Sequence, residues 1–171
     1  RYVLEEMAKG FRLGERYRVR VLLNEAGGAT VAEMTLSAEV PMGRVRLSVE
    51  RTSSTDVFLR HKTTRRELYE REYARARAEG FDEVIFLNER GEVTEGAISN
   101  VFVRRAGRLL TPPLRCGVLP GVLRRHLLED ASAEECVLTV AGLESGEAVF
   151  LGNSVRGLRE VRLLGRGAAV E

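Results

Sequence analysis

The stretch DEVIFLNERGEVTEGAISNVFVRRAGRLLTPP, residues 82–113, decides the fold. It holds three apolar runs, EVIFLN, ISNVFVRR and RLLTPP. ERGE turns the chain after the first run, Ala106-Gly107 turns it after the second, and Pro112-Pro113 stop the third. Short runs of β-formers split by such breaks read as a β-meander.

Working outward from this meander, more strands are expected on both sides. RYRVRVLL (16–23) alternates Arg with Tyr17, Val19 and Val21, the pattern of a half-buried strand. NEAGGAT is a turn, VAEMTLSAEV (31–40) a second strand, and Pro41 and Gly43 break the chain before RVRLSVE (44–50). Residues 3–12 read as the end of a helix closed by Gly10 or Gly14. SSTD (53–56) is a polar connection. From Lys62 to Gly80 the composition is helix-forming, with Leu68, Tyr69, Tyr73 and Ala76 as an inward stripe, and Gly80 closes the helix. Downstream come an amphipathic helix at VLRRHLLED (122–130), a strand at AEECVLTV and a connecting helix or turn at AGLESGE. A strand at AVFLGN, the Gly-bounded loop GNSVRGL and a last strand at REVRLL follow. The expected class is α/β or α+β, with mixed, largely antiparallel strands.

Bulk composition excludes several functions. At 171 residues, 44% hydrophobic and 30% charged, the chain suits one ordinary globular domain, or one and a fraction. Its 27 basic and 25 acidic residues leave a net charge of +2, too balanced and too dispersed for a nucleic-acid surface. No apolar run approaches the ~20 residues needed to span a bilayer, and no signal peptide is evident, so a cytoplasmic location is expected. Cys116 and Cys136 form no CxxC pair and read as reduced. The two histidines, His61 and His126, have no ligand spacing to either cysteine, so no metal site is expected.

Only two of the 27 basic residues are lysines, Lys9 and Lys62. Arg keeps its charge at any working pH, whereas Lys can lose its proton and act as an amine nucleophile or base. Taken alone, Lys62 reads as a surface lysine at a helix start. Three other segments change that reading. VTEGAISN places Glu95 at the exit of the meander turn. LPGVLR places Gly121 directly before a helix, whose free N–H groups make an anion site. FLGNS places Asn153 and Ser154 at the end of an apolar strand. An amine, a carboxylate and a phosphate cradle are what pyridoxal phosphate requires of a protein. Each segment also has a plain structural reading: an exposed turn carboxylate, simple helix initiation, a polar turn.

The series HKTTRR, DEVIFLNERGEVTEGAISNVFV, LLTPPLRCGVLPGVLRRHLLE and AVFLGNSVRGL, in that order, resembles the fold-type IV pyridoxal-phosphate enzymes. These include branched-chain and D-amino-acid aminotransferases and 4-amino-4-deoxychorismate lyase. The resemblance covers residues 43 to 168 and extends weakly through 16 to 40. HKTTRR and FLGNSVRGL are most similar to the lyase, in particular to the lyase domain fused behind aminodeoxychorismate synthase. It implies a mixed, mainly antiparallel sheet or pseudo-barrel flanked by helices over 43–171, with residues 1–42 as a remnant of a smaller N-terminal α/β domain. Because residue 1 is Arg and that smaller domain is short here, the chain is expected to be a fragment.

The resemblance also implies roles. Lys62 matches the Schiff-base lysine and Glu95 the carboxylate facing the pyridine nitrogen. Ser99 and Asn100 match polar positions beside the ring, and Leu119 the apolar residue on it. Val122 and Leu123 match the backbone donors to the phosphate, preceded by Gly121, and Ser154, next to Asn153, matches the hydroxyl joining them. Leu123 departs from the Thr of many aminotransferases. Arg156 is a candidate for a substrate carboxylate, with a solvated loop arginine as the alternative. His61, placed on a strand, would face away from Lys62 and is expected to be structural. The implied activity is conversion of 4-amino-4-deoxychorismate to 4-aminobenzoate and pyruvate, with a branched-chain or D-amino-acid aminotransferase as alternative and a non-catalytic interaction module as a second. The implied partners are a small-molecule amino substrate and a second copy of the chain, with neither nucleic acid nor membrane.

Overall fold

The computed structural model describes residues 2–36 and 43–165. The chain divides into two compact units, Arg1–Pro41 and Met42–Glu171. The first holds helix α1 (Tyr2–Ala8) and an antiparallel hairpin of β1 (Tyr17–Leu23) and β2 (Ala29–Thr35). Asn24 closes the hairpin turn by accepting the Gly28 N–H on Oδ1 at 2.7 Å. The expected half-burial of the first strand does not occur: Val19, Val21, Leu22 and Leu23 are all exposed. Alternation gives a strand two faces, but burial needs a second layer, and a two-stranded ribbon supplies none. Residues 37–40 of the expected second strand, and Pro41, lie outside the described residues.

The second unit carries strands β3 (Gly43–Thr52), β4 (Glu83–Asn88), β5 (Val93–Gly96), β6 (Asn100–Arg105) and β7 (Arg108–Thr111). It continues with β8 (Ala133–Glu135), β9 (Ala148–Asn153) and β10 (Gly157–Leu163). Helices α2 (Glu67–Ala78), α3 (Val122–Glu129) and α4 (Val140–Glu144) pack around them. The strands form one sheet in the order β5-β4-β3-β10-β9-β6-β7-β8, and β5 also pairs with β6. That extra pairing closes six strands into a ring, with β7 and β8 as a spur. Pairs β3–β4, β3–β10 and β7–β8 are parallel and the rest antiparallel, so the sheet is mixed and mainly antiparallel, as expected. The β6–β7 turn is Ala106-Gly107, both at positive φ, the backbone twist that a two-residue hairpin demands.

Every ring strand sends one face inward. Val45, Ile85, Leu87, Val93, Val101, Val103, Leu151 and Val161 form one buried cluster inside the ring. The other faces are covered by helices. Val84 and Phe86 of β4 pack under α2 with Tyr69 and Ala76, and Phe102 and Phe150 pack with Leu127 and Leu128 of α3. Burial on both faces is why EVIFLN is a continuous apolar run rather than an alternation.

The helix expected from Lys62 begins only at Glu67. Asp56 accepts the Phe58 N–H and caps a single 3-10 turn over Val57–Arg60, which ends where the His61 N–H meets the Phe58 carbonyl. The β-branched pair Thr63-Thr64 follows, and the chain runs irregularly to Arg66. Lys62 thus sits in an irregular connector. Gly80, at φ +85, follows the last turn of α2 as expected.

Candidate active site

Glu95 lies on β5 at the point where the ring closes, opposite Asn100 of β6. Its carboxylate is buried and both oxygens are held. The Tyr69 hydroxyl donates to Oε1 at 3.0 Å, and the Leu119 N–H donates to Oε2 at 2.9 Å. Burial pushes its pKa up to about 7, against the Leu119 and Tyr69 donors and the charges of Arg66 and Lys62, which favour the anion. Glu95 and Leu119 line a cleft of about 240 Å³, with Phe58, His61, Arg66 and Tyr69 among the other walls. A carboxylate so placed is a strong acceptor for a cationic N–H entering the cleft, because each oxygen has spent only one of its lone pairs.

Lys62 stands between two cleft-lining residues, His61 and Thr63, and its charge reaches Glu95. His61 itself corrects an expectation. No strand runs here, so the opposite-face argument fails, and the imidazole lines the cleft.

The loop from Leu119 to Gly121 delivers the start of α3. Asn100 Nδ2 donates to the Leu119 carbonyl at 3.0 Å. A Cβ on Gly121 would lie 2.1 Å from Asn100 Oδ1, so only glycine allows this approach. Helix α3 makes its first bond from the Arg125 N–H to the Gly121 carbonyl, leaving the Val122 and Leu123 N–H groups at the helix start, where the dipole favours an anion. The Leu123 side chain packs on Gly152, its Cδ2 2.9 Å from where a Cβ would stand there. The position that departs from Thr is therefore filled by an apolar contact between α3 and β9.

Asn153 ends β9 and ties two loops together. Its Nδ2 donates to the Ile98 carbonyl at 3.2 Å and to Ser99 Oγ at 3.4 Å. Its Oδ1 accepts the Val155 and Arg156 N–H groups at 3.0 Å each, which folds the turn carrying Ser154. Ser99 Oγ donates to Glu83 Oε2 at 3.1 Å, and the Ile98 N–H donates to Oε1 at 3.0 Å. Burial raises the Glu83 pKa, and these two donors work against it.

The structure thus brings Glu95, Leu119, Asn100, Gly121, Leu123, Ser99 and Asn153 into one connected group at the ring seam. Ser99, Asn100 and Asn153 spend hydrogen bonds on neighbouring backbone and side chains and so act as bracing. Ser154 is exposed in the turn that follows Gly152 and Asn153. Arg156 is half-buried in the same turn as Ser154; among the described residues lining the cleft the arginines are Arg51, Arg65 and Arg66. Tyr69 is the contributor the sequence reading passed over. Its stripe position marked it for burial, and the one signal for more was a Tyr where Phe would fill the same space, since a buried hydroxyl needs a partner. Among the described residues, no group of His, Cys, Asp or Glu is placed to hold a metal, and no helix is long and apolar enough to cross a membrane.

Comparison with known proteins supplies the family. Residues 3–164 match the family described as Amino-transferase class IV. A Schizosaccharomyces pombe protein provisionally named an aminodeoxychorismate lyase is 30% identical over 167 residues, covering 91% of this chain and 70% of that protein. An aminodeoxychorismate lyase from Bacillus subtilis is 53% identical over 49 residues, 29% of this chain and 17% of that protein. A Mesorhizobium loti crystal structure, provisionally named an amino-acid aminotransferase, superposes with a TM-score of 0.86 at 40% identity. It covers 95% of this chain and 79% of that one.

Proposed function

The chain belongs to the class IV amino-transferase family, a family of pyridoxal-phosphate enzymes, and from that premise we propose that it is a lyase forming 4-aminobenzoate and pyruvate from 4-amino-4-deoxychorismate. The observation that carries the reading is the buried Glu95 carboxylate, held by one donor on each oxygen and lining a cleft beside Lys62. The lyase names among the relatives favour this substrate, and so do the three arginines of the cleft wall, since the substrate bears two carboxylates.

The residues fit the cofactor. A buried acceptor, a helix start with open N–H groups and a lysine flanked by cleft residues are the three provisions its ring nitrogen, phosphate and aldehyde need. When bound, pyridoxal phosphate supplies an electron sink for negative charge developing on the substrate carbon. Glu95 would hold the proton on the ring nitrogen through its free lone pairs. The Val122 and Leu123 N–H groups, with the Ser154 hydroxyl, would hold the phosphate. Lys62 would hold the aldehyde through Nζ, and as a neutral amine that same Nζ would take the proton from the amine-bearing carbon of the substrate. The electron pair left on that carbon would break the neighbouring C–O bond as the substrate ring becomes aromatic, and the proton on Nζ would pass to the departing enolate, which then tautomerises to pyruvate. Of the cleft cations, Arg51 and Arg65 are candidates for the substrate carboxylates, alongside Arg156.

An aminotransferase of branched-chain or D-amino acids is the second reading, favoured by the name of the Mesorhizobium loti structure. In that case Lys62 would both take and return the proton, with no leaving group departing. We also assign residues 43–171 as the cofactor-binding domain, residues 1–42 as part of a smaller domain, a homodimer as the working state and the cytoplasm as its location.

The test is to add pyridoxal phosphate, reduce with borohydride and map the adduct by peptide mass. The expected adduct is on Lys62 and absent in Lys62→Ala. Release of 4-aminobenzoate without any 2-oxo acid then identifies the lyase, and turnover only with 2-oxoglutarate identifies the aminotransferase. A chain that gives no adduct, alone or within a longer chain, refutes the cofactor site and restores the interaction module.

A further inference from the structure

Three features meet at one side of Glu95. Tyr69, 6% exposed, projects from the first turn of α2 and its hydroxyl reaches Oε1 at 3.0 Å. The Tyr69 ring is wedged against Phe86, with centroids 4.6 Å apart and planes tilted by 51°. The Arg66 guanidinium lies over the same ring, 5.2 Å from its centroid, and also donates to the Ala97 carbonyl. The phenol is therefore fixed in position by packing on one side and by a cation on another.

We infer that Tyr69 is a positioning residue for Glu95: its hydroxyl, with the Leu119 N–H, fixes the plane of the carboxylate and favours its acceptor form towards a protonated ring nitrogen. This rests on the cofactor reading above. The inference follows from the donor count. A carboxylate buried as Glu95 is would favour its neutral form, which would present a proton where an acceptor is needed. One donor on each oxygen counters that burial and leaves the remaining lone pairs directed to the cleft. Arg66 and Lys62 are the cations facing Glu95, and Asp56 is the anion acting on the Tyr69 side. Burial and the Glu95 charge raise the Tyr69 pKa well above its ordinary value, so the phenol stays a donor through any working pH.

Tyr69→Phe removes the hydroxyl and keeps the ring packing. Two readouts separate positioning from mere packing. The first is the carboxyl titration of Glu95 in the cofactor-free protein, followed by carbon-13 NMR with glutamate labelling and assigned with Glu95→Gln. The second is the affinity for pyridoxal phosphate, with borohydride trapping on Lys62 as the control for the cofactor reading. The expected result is an upward move of the Glu95 midpoint by about one pH unit, the size of one charged hydrogen bond's share, and a roughly tenfold loss of affinity near neutral pH. In a Glu95→Gln background, Tyr69→Phe should leave the affinity unchanged. An unmoved midpoint overturns the inference, as does an affinity loss of the same size in the Glu95→Gln background. A midpoint moved by Tyr69→Phe, with no Lys62 adduct in the wild-type chain, refutes the cofactor reading instead and leaves only a buried hydrogen-bonded pair.

Discussion

Gly121→Ala tests whether the anion cradle is built by close approach rather than by helix propensity. The backbone at Gly121 is extended, φ −62° and ψ 147°, which alanine adopts without strain. The new methyl would nonetheless lie 2.1 Å from Asn100 Oδ1, against the 3.0 Å below which Cβ contacts essentially never occur, so one partner must retreat by about 0.9 Å. Asn100 is buried and its amide is committed to the Leu119 carbonyl, so the retreat breaks that bond or moves the loop. Overpacking costs about 1–3 kcal/mol and the lost hydrogen bond about 1, giving roughly 2–4 kcal/mol of stability. In an Asn100→Ala background both terms vanish, and the same substitution should be neutral or stabilising by up to about 1 kcal/mol through reduced unfolded-state entropy. Urea unfolding of the four proteins in this cycle measures the difference, expected as a coupling of roughly 2–4 kcal/mol. The Val122 and Leu123 N–H groups ride on the displaced turn, so phosphate affinity falls with stability in Gly121→Ala. An equal cost of Gly121→Ala in both backgrounds would refute the close-approach argument.

The Glu95 pKa supplies a signed stability prediction. With a folded value of about 7 against an ordinary 4.5, Glu95 binds its proton more tightly when folded. Its contribution is therefore intact below pH 4.5 and is lost as pH rises towards 7. Cofactor-free Glu95→Gln should be more stable than wild type above neutral pH by up to about 3 kcal/mol, with the gap closing in acid. Thermal unfolding across that range checks it, and a gap independent of pH contradicts it. Leu123→Thr restores the hydroxyl that many aminotransferases carry but strips the contact on Gly152, so a stability loss of about 1–2 kcal/mol is expected by denaturant titration.

Legibility in the sequence followed the number of layers packed on each segment. The meander was readable because β4 is buried on both faces and its turns carry Gly91 and Ala106-Gly107 at positive φ. Helix α3 was readable from Gly121 and an amphipathic pattern over eight residues. The first hairpin was legible as strands but not in its exposure, because alternation does not reveal whether a second layer exists. The start of α2 was lost because helix propensity continues through Arg65 and Arg66, while the capping by Asp56 that opens a separate 3-10 turn depends on local geometry. The roles of His61 and Tyr69 were hidden for a related reason. One was assigned to a strand that does not form, and the other meets a partner 26 positions away across a helix–strand interface. The turn that carries Ser154 and Arg156 is folded by Asn153, whose Oδ1 accepts the Val155 and Arg156 N–H groups, which no local pattern announces.

The same pairing that closes the ring also makes the site. Strand β5 is four residues long and meets β6 through a single register pair, Glu95 and Asn100. A seam that short cannot be held by a backbone ladder alone, and side chains take over. Asn100 carries the seam outward to the Leu119–Gly121 loop, and Glu95 accepts the Leu119 N–H from the other end of that loop residue's peptide links. Asn153 and Glu83 grip the Ile98-Ser99 turn that joins the two strands. Of the polar groups left over at this incomplete barrel closure, Glu95 lines the cleft and the others brace the loops around it. Buried carboxylates and amides that would be liabilities in an apolar core are each satisfied by a loop they must position. The functional geometry is therefore coupled to ring closure: a substitution that opens the Glu95–Asn100 seam displaces the helix start, the bracing turn and the buried acceptor together.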